Sequence, residues 1–323
     1  MSRSKVIRAF FPRAALCALC IASGCATAPL QNRDYALPPD FVPARHVVFI
    51  GLDGWGAVYV PKANMPTVKR MMAEGASSLD VLSVMPSMSW PNWSSLFCGA
   101  PPEHRTGDAR REASENKAAK VIDDFPSIFT IARDAASGTG GGKAQGGQAA
   151  ANAGPVFFYE WNELTKICPD ETAEKRRITS DIESARKVAA HIIEKKPVFT
   201  AVAFNEPDAT GHAKHWGSPA YYAALEALDS YIAVIEQAVK DAGIYDSTVF
   251  VLSSDHGGNY WGHGNDLPSM RKIPLVIYGK GITKGFTIPS PAGICDIAPT
   301  MAAILGLPIP REWTGRPLLE IFR

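Results

Sequence analysis

The sequence lacks an excess of charge of either sign. Its 33 Lys and Arg stand against 32 Asp and Glu, a formal charge of +1 with histidines neutral, which excludes a polybasic protein that holds nucleic acid by charge alone. It also lacks a hydrophobic run long enough to span a bilayer: the longest uncharged apolar stretch near the start, Ala14 to Gly24, falls short of the ~20 residues a spanning helix needs. Cysteine is sparse. Of six, Cys17, Cys20 and Cys25 fall in or at the end of that leading segment, leaving Cys98, Cys168 and Cys295. Three thiols cannot all pair internally, and they form no Cys/His cluster of the structural-zinc kind. Cys98 follows the apolar Trp93 to Phe97 and is expected buried, while a Cys168 to Cys295 bridge is open. Gly (27) and Pro (25) are too few and scattered for a collagenous or disordered chain, and 46 % hydrophobic against 20 % charged residues is ordinary globular composition.

Arg3, Lys5, Arg8 and Arg13 precede the short apolar run as in a secretory signal, read as residues 1–25. Export follows, to a periplasmic, lipid-anchored or secreted location. Removing that leader leaves 29 basic against 32 acidic residues, again unsuited to an anionic partner surface. Ala22-Ser23-Gly24-Cys25 resembles a lipobox, which would make Cys25 the acylated first residue and a membrane attachment point; cleavage near Ala26 to Ala28 would instead free a soluble product. Residues 26–44 read as a linker and 45–323 as one domain.

Within that domain short apolar runs alternate with amphipathic stretches. Val47 to Gly51, Val198 to Phe204, Val249 to Leu252 and Pro274 to Tyr278 read as strands of a parallel sheet buried on both faces. Leu225, Leu228, Ile232, Ile235 and Val239, and likewise Ile178, Ile182, Ala185, Ala189 and Ile193, recur at helical spacing. The pattern predicts an α/β/α sandwich with a mostly parallel central sheet. Two segments interrupt it. Ser137 to Gly154 is a Gly/Ala/Gln-rich surface insertion, whose GGGK is no phosphate loop, because Ser137 and Ala144 stand where Gly and Ser/Thr are required. His104 to Ala119 is charged and reads as a solvent-facing loop.

The chemistry stands where strands stop. The first runs into Leu52-Asp53-Gly54, the second into Glu206-Pro207-Asp208 with Gly211-His212 beyond, and the third into Ser254-Asp255-His256-Gly257-Gly258. Each motif alone also suits a turn, a cap or a surface loop. Together they bring acids and imidazoles to the carboxyl edge of one sheet, where open parallel sheets bind ligands. Carboxylates so gathered repel unless cations lie between them, and mixed carboxylate and imidazole donors suit zinc. A nucleophile candidate lies in Ser87-Met88-Ser89-Trp90-Pro91-Asn92. Pro91 suits the first turn of a helix, which places Ser89 at its N-terminus, where the dipole favours an anion; Ser87 is the weaker alternative.

The series LDG, SWPN, EPDxxGH, SDHGG and HG resembles the alkaline phosphatase superfamily, in particular its type I phosphodiesterase and nucleotide pyrophosphatase branch, over about Val47 to Gly281. The resemblance implies an α/β/α sandwich holding two divalent metals, usually zinc, and a small-molecule phosphoester substrate. Transferred by motif, Asp53, Asp255, His256 and the Ser89 oxygen would hold one metal. Asp208 and His212 would hold the other with one further imidazole, which the resemblance assigns to His263, His215 being a substitute. His46, His104 and His191 read as structural. Departures exist: Ser89 stands where Thr is common, and the family's phosphate-binding asparagine has no clear counterpart, Asn116 being open to the role and Asn92 better suited to ordering the helix start. Larger members also carry an insertion before their last histidine. Hydrolysis through a phosphoseryl intermediate on Ser89 is the implied activity. A phosphomonoesterase, clamping a dianion with Arg105, Arg110 or Arg111, is the alternative, as is a non-catalytic metal-binding scaffold; a sulfatase would need an arginine where Trp93 stands.

Overall fold

In the computed structural model, which describes residues 35–106, 125–138, 153–168 and 172–322, strand β1 (His46–Asp53) lies in the middle of a nine-stranded sheet. The others are β2 (Ala76–Leu82), β3 (Val156–Tyr159), β4 (Glu174–Arg177), β5 (Phe199–Pro207), β6 (Thr248–Ser253), β7 (Lys272–Gly279), β8 (Phe286–Thr287) and β9 (Ala292–Gly293). Their order is β4-β3-β5-β1-β6-β7-β2-β8, with β9 also on β2. The block from β4 to β6 is parallel throughout. β1 pairs Ile50 with Val202 on one side and with Leu252 on the other, so Asp53, Asp208 and Asp255 leave the same edge.

Side chains alternate across β1 because its period is two. Val47 and Phe49 enter a core shared with the helices Ser89–Cys98, Ile128–Ser137 and Ile297–Ile304. Val48, Ile50 and Leu52 enter the opposite core, shared with Pro66–Glu74, Ile182–Lys195 and Pro219–Asp241. The molecule is therefore the expected three-layer sandwich. The long helix starts cleanly because Ser218 accepts from the Tyr221 N–H and Pro219 occupies its first turn. It buries Leu225, Leu228, Ile232, Ile235 and Val239, each contributing about 1.5–3 kcal/mol in transfer free energy. Among the described residues no helix is long and apolar enough to cross a membrane.

Several expectations change. The run Pro274 to Tyr278 is a strand, but β7 is antiparallel to both β6 and β2. The connecting segment 254–271 contains only the short helix Pro268–Arg271 and stays at the edge where β6 ends, so the chain enters β7 from that edge; a parallel return would need a crossover along the sheet. In the second helical stripe, Ile178 precedes the helix and Ile193 is exposed, and the buried face is Ala185, Val188, Ala189 and Ile192. Residues 35–44 lie against the sandwich, Tyr35 donating to the Leu307 carbonyl at 2.8 Å with Leu37 and Phe41 packed on the core. Cys98 is buried as expected, and Cys168 and Cys295 are thiols with no bridge between them. Helix Ile128–Ser137 ends on Gly138 in the left-handed conformation; residues 139–152 of the low-complexity segment lie outside the described residues, as do the signal, Cys25, and 107–119 of the charged stretch. His104 belongs to the short helix Pro102–Thr106.

Candidate metal centre

All seven residues singled out for chemistry meet at the carboxyl edge of the parallel block. Ser89 is the first residue of helix Ser89–Cys98. Its Oγ lies 3.1 Å from His256 Nε2 and 3.5 Å from Asp53 Oδ1. His256 Nε2 is in turn 3.6 Å from Asp53 Oδ1 and 3.2 Å from Asp255 Oδ2. Beside this group, Asp208 Oδ2 is 3.5 Å from His212 Nε2, Asp208 Oδ1 is 3.7 Å from His263 Nε2, and the two imidazole Nε2 atoms are 3.1 Å apart. Asp208, His212 and His263 form one compact set of donors. Asp53, Asp208 and His256 form another, so Asp208 borders both halves.

Local chemistry explains the placement. Asn92 ties down the turn before the helix: its Oδ1 accepts from the Val84 N–H at 2.7 Å and its amide donates to the Pro86 and Met88 carbonyls at 3.1 and 2.9 Å. It thus orders the helix start, as its sequence position suggested. Ser87 is engaged with another loop instead. Its hydroxyl donates to the Asn265 carbonyl at 2.8 Å and accepts from the Gly264 N–H at 3.1 Å, and its carbonyl accepts from His263 Nδ1 at 3.0 Å. The segment leading into Ser89 is therefore laced to the loop bearing His263.

The donor chemistry fits divalent cations. Carbonyl oxygens only accept, so the bonds from His256 Nδ1 to Gly257 (2.8 Å) and from His263 Nδ1 to Ser87 put each ring proton on Nδ1 and turn the Nε2 lone pair inward. Those lone pairs face carboxylate oxygens. Asp208 Oδ1 and Asp255 Oδ2 are buried and receive no hydrogen bond, an arrangement that is costly unless a cation supplies the missing partner. Burial, with the neighbouring Asp255 and Asp208 charges, raises the Asp53 carboxyl well above the usual carboxylate range. Burial and repulsion from Asp255 and Glu206 push Asp208 up to about 8. Asp255 rises to about 6 by burial, against the Gly54 and His256 N–H bonds that oppose it. Burial lowers His256 and His263 to about 3. Acids pushed up and imidazoles pushed down within one cluster describe ligands that need positive charge between them.

Three contributors had no strong sequence signal. Trp93 Nε1 donates to Asp53 Oδ2 at 3.0 Å; it stands one turn after Ser89, a spacing that puts both on one helix face. Ser254 accepts from the Trp55 N–H at 2.9 Å and lies 2.7 Å from the Leu52 carbonyl, joining the ends of β1 and β6. Trp216 is buried with Nε1 donating to the Gly54 carbonyl at 3.0 Å, and its ring packs edge-on to His212 and near His263, with centroids 5.0 and 5.9 Å apart. The indole is seated between Gly211 and Gly258, where a Cβ would come within 2.5 and 2.1 Å of it.

Other expectations do not reach the site. His215 belongs to neither donor set and stacks on Tyr260 instead. Arg105 is buried, with its guanidinium donating to the Ala100 carbonyl and to Ser94 Oγ at 2.8 Å, so it braces the helix Ser89–Cys98. Arg110, Arg111 and Asn116 lie outside the described residues. His46 is structural, its Nδ1 donating to the Pro197 carbonyl at 2.7 Å, and His191 is buried on its helix.

A mostly parallel three-layer sandwich thus brings acids and imidazoles at its strand ends together with a serine at a helix start. The sequence profile of the type I phosphodiesterase / nucleotide pyrophosphatase family matches residues 47–260. The chain belongs to that family, within the alkaline phosphatase superfamily. Murine ectonucleotide pyrophosphatase / phosphodiesterase 5, solved as an inactive variant in complex with AMP, superposes with a TM-score of 0.68 at 14% identity, covering 86% of this chain and 100% of that one. A phosphonate monoester hydrolase from Silicibacter pomeroyi superposes with a TM-score of 0.62 at 15% identity, covering 84% and 75%. By sequence, Bos taurus arylsulfatase K is 31% identical over 104 residues, 31% of this chain and 19% of its own length. Emericella nidulans GPI ethanolamine phosphate transferase 1 is 30% identical over 136 residues, 35% and 15%. The aligned region thus spans less than a fifth of these two relatives.

Proposed function

We propose that the chain is a metal-dependent phosphodiesterase of the nucleotide pyrophosphatase type that works through a phosphoseryl intermediate on Ser89. The observation that carries this reading is the Ser89 oxygen, 3.1 Å from His256 Nε2 and 3.5 Å from Asp53 Oδ1 at the start of a helix. Two divalent metals, zinc by ligand type, would be held by Asp53, Asp255, His256 and Ser89 and by Asp208, His212 and His263, and when bound would acidify the hydroxyl and offset phosphoryl charge. Asn92 and Trp93 fix the helix start and the Asp53 carboxylate, so the nucleophile is oriented before substrate arrives. First-turn N–H groups, which lack intrahelical acceptors, favour the phosphoryl anion. Ser89 releases its proton to solvent and attacks phosphorus as the opposite P–O bond breaks, the departing oxygen takes up a proton from solvent, and water then opens the phosphoseryl ester, one of its protons restoring the hydroxyl.

Two observations favour a phosphodiester over the neighbouring chemistries. Trp93 stands at the position where a sulfatase motif would carry arginine, and it is engaged with Asp53. Arg105, which a monoesterase could use on a dianion, is committed to Ala100 and Ser94. The test compares bis-nitrophenyl phosphate, nitrophenyl phosphate and nitrophenyl sulfate with zinc-loaded protein. The diester should be turned over fastest, and Ser89→Ala should abolish that turnover while bound metal stays. Faster monoester cleavage would bring in Arg110 or Arg111, faster sulfate cleavage would reassign the enzyme, and unchanged turnover of the variant would remove Ser89 from the mechanism. We further propose export, with Cys25 as lipid attachment point; palmitate labelling that persists in Cys25→Ser would exclude it.

A further inference from the structure

The turn that follows Asp53 is held from both halves of the candidate metal site. Gly54 takes the left-handed conformation (φ 69°), and a Cβ on it would come within 2.8 Å of Asp208 Cβ and 2.9 Å of Asp208 Oδ1. Its backbone therefore lies directly against Asp208, an approach that only glycine permits. Its N–H donates to Asp255 Oδ1 at 3.1 Å. The next peptide is pinned at both ends. The Trp55 N–H donates to Ser254 Oγ at 2.9 Å, and the Gly54 carbonyl accepts from the Gly56 N–H at 3.1 Å, from Trp216 Nε1 at 3.0 Å and from the Tyr221 hydroxyl at 2.9 Å.

Two of those three donors come from the chain that carries the other half-site. Trp216 follows the helix Asp208–Lys214 and packs edge-on to His212, and Tyr221 lies in the first turn of helix Pro219–Asp241. Tyr221 is fully buried, its ring edge-on to Tyr59 with centroids 5.0 Å apart, and its own N–H is held by Ser218. The ring and the helix start thus aim the phenol before it meets Gly54. Burial holds that phenol well above its ordinary range, so it keeps its proton and acts as the donor. A buried phenol needs some acceptor. The Gly54 carbonyl, with two lone pairs already served by two N–H groups, has no need of a third donor, so what the hydroxyl adds there is direction.

We propose that Tyr221 is a positioning residue: by donating to the Gly54 carbonyl it clamps the Asp53-Gly54 turn against Asp208, and so sets the spacing between the two halves of the metal site. The proposal rests on the two-metal reading of that site. A donor gained by a peptide carbonyl also strengthens the N–H of the same peptide. Through the Trp55 N–H the hydroxyl therefore acts on Ser254, whose Oγ lies 2.7 Å from both the Leu52 and His256 carbonyls. Asp53, Asp255 and His256 on one side and Asp208 on the other are in this way referred to one turn, and Tyr221 fixes that turn from the far side of the ligands.

The experiment compares the wild type with Tyr221→Phe, which keeps the ring and removes only the hydroxyl. The Gly54 carbonyl retains Gly56 and Trp216 as donors, so the variant folds. Asp229→Asn, on the same helix but bonded to Thr67 and Val68 instead, is the control for lost stability alone, and melting curves establish that all three chains are folded where they are compared. Zinc binding is read by competition with a chromogenic chelator, and the wild type should take up two zinc ions per chain. In Tyr221→Phe the zinc affinity should fall ~10-fold, the lower end of the range for partners that orient metal ligands, and kcat for bis-nitrophenyl phosphate at saturating zinc should fall while KM holds. Asp229→Asn should melt earlier with zinc affinity unchanged. A Tyr221→Phe chain that matches the wild type in zinc affinity and kcat overturns the proposal, as does an equal fall in Asp229→Asn. A wild-type chain that takes up fewer than two zinc ions overturns it together with the two-metal reading of the site.

Discussion

Replacing Gly258 with Ala tests whether Trp216 is what seats the Asp208, His212 and His263 half of the site. A Cβ at Gly258 would come within 2.1, 2.3 and 2.5 Å of Trp216 Cε2, Cδ2 and Nε1, far inside van der Waals contact. The indole is held closely. A Cβ at Gly211 would also come within 2.5 Å of it, and Nε1 is bound to the Gly54 carbonyl. Overpacking of this kind costs about 1–3 kcal/mol, and loss of the Gly54 bond adds about 1 kcal/mol. For a chain of this size each kcal/mol lowers Tm by about 2–4 °C, so a drop on the order of 10 °C is expected. Because the indole edge lies against His212 and near His263, the displaced ring should also loosen that half-site. The control is in the same loop: a Cβ at Gly262, next to His263, meets nothing within 4 Å, and Gly262→Ala should behave as wild type. Thermal unfolding, metal analysis and diester hydrolysis on the three proteins decide the matter. A Gly258→Ala chain that melts with the wild type and keeps its metal would refute the argument, as would a Gly262→Ala chain equally impaired.

His263→Ala leaves Asp208 and His212 as the only protein ligands of their proposed metal, below the three that catalytic zinc sites keep, and metal analysis should show loss of about one metal per chain with activity partly restored by excess zinc. Asn92→Ala strands the Val84 N–H and the Pro86 and Met88 carbonyls; it should cost about 2–4 kcal/mol in chemical denaturation and lower kcat more than it raises KM, through misplacement of Ser89. Buried Asp229 accepts from the Thr67 and Val68 N–H groups at the start of helix Pro66–Glu74, so Asp229→Asn should lose about 1–3 kcal/mol by the same assay while the affinity for zinc stays unchanged.

The candidate ligands at the strand ends were legible because each stands at or shortly after an apolar run. Asp53, Asp208 and Asp255-His256 stand at the ends of β1, β5 and β6, and a run of buried β-branched and aromatic residues marks a central parallel strand without reference to its neighbours. Strand β4 escaped notice for the converse reason. Glu174–Arg177 is a charged, largely exposed segment whose strand character comes only from backbone pairing with β3, which hydropathy does not register. The direction of β7 was equally hidden, since a run of buried apolar residues looks the same whichever way the chain enters. Arg105 illustrates another limit: an arginine one helix beyond a nucleophile suggests a phosphate clamp, and only the fold reveals that Ala100 and Ser94 have claimed it. Trp216 acts through residues at positions 54, 211, 258 and 263, contacts that no local window contains.

The lacing of Ser87 to the chain around His263 determines where this architecture can lengthen. Gly264 and Asn265 hold Ser87 from one side while its carbonyl holds the histidine ring, so extra residues inserted between 263 and 265 would unfasten the nucleophile loop along with the ligand. The hairpin tip before it is different. Asn259 and Gly262 close on each other, the Tyr260 carbonyl accepts from the Trp216 N–H, and the space beside Gly262 is open, so a graft at 261–262 can grow outward without disturbing the stitching behind it. For engineering, residues 261–262 are thus the exchangeable tip, Gly258 stays because a Cβ there would strike Trp216, and 263–265 travel only in company with Ser87.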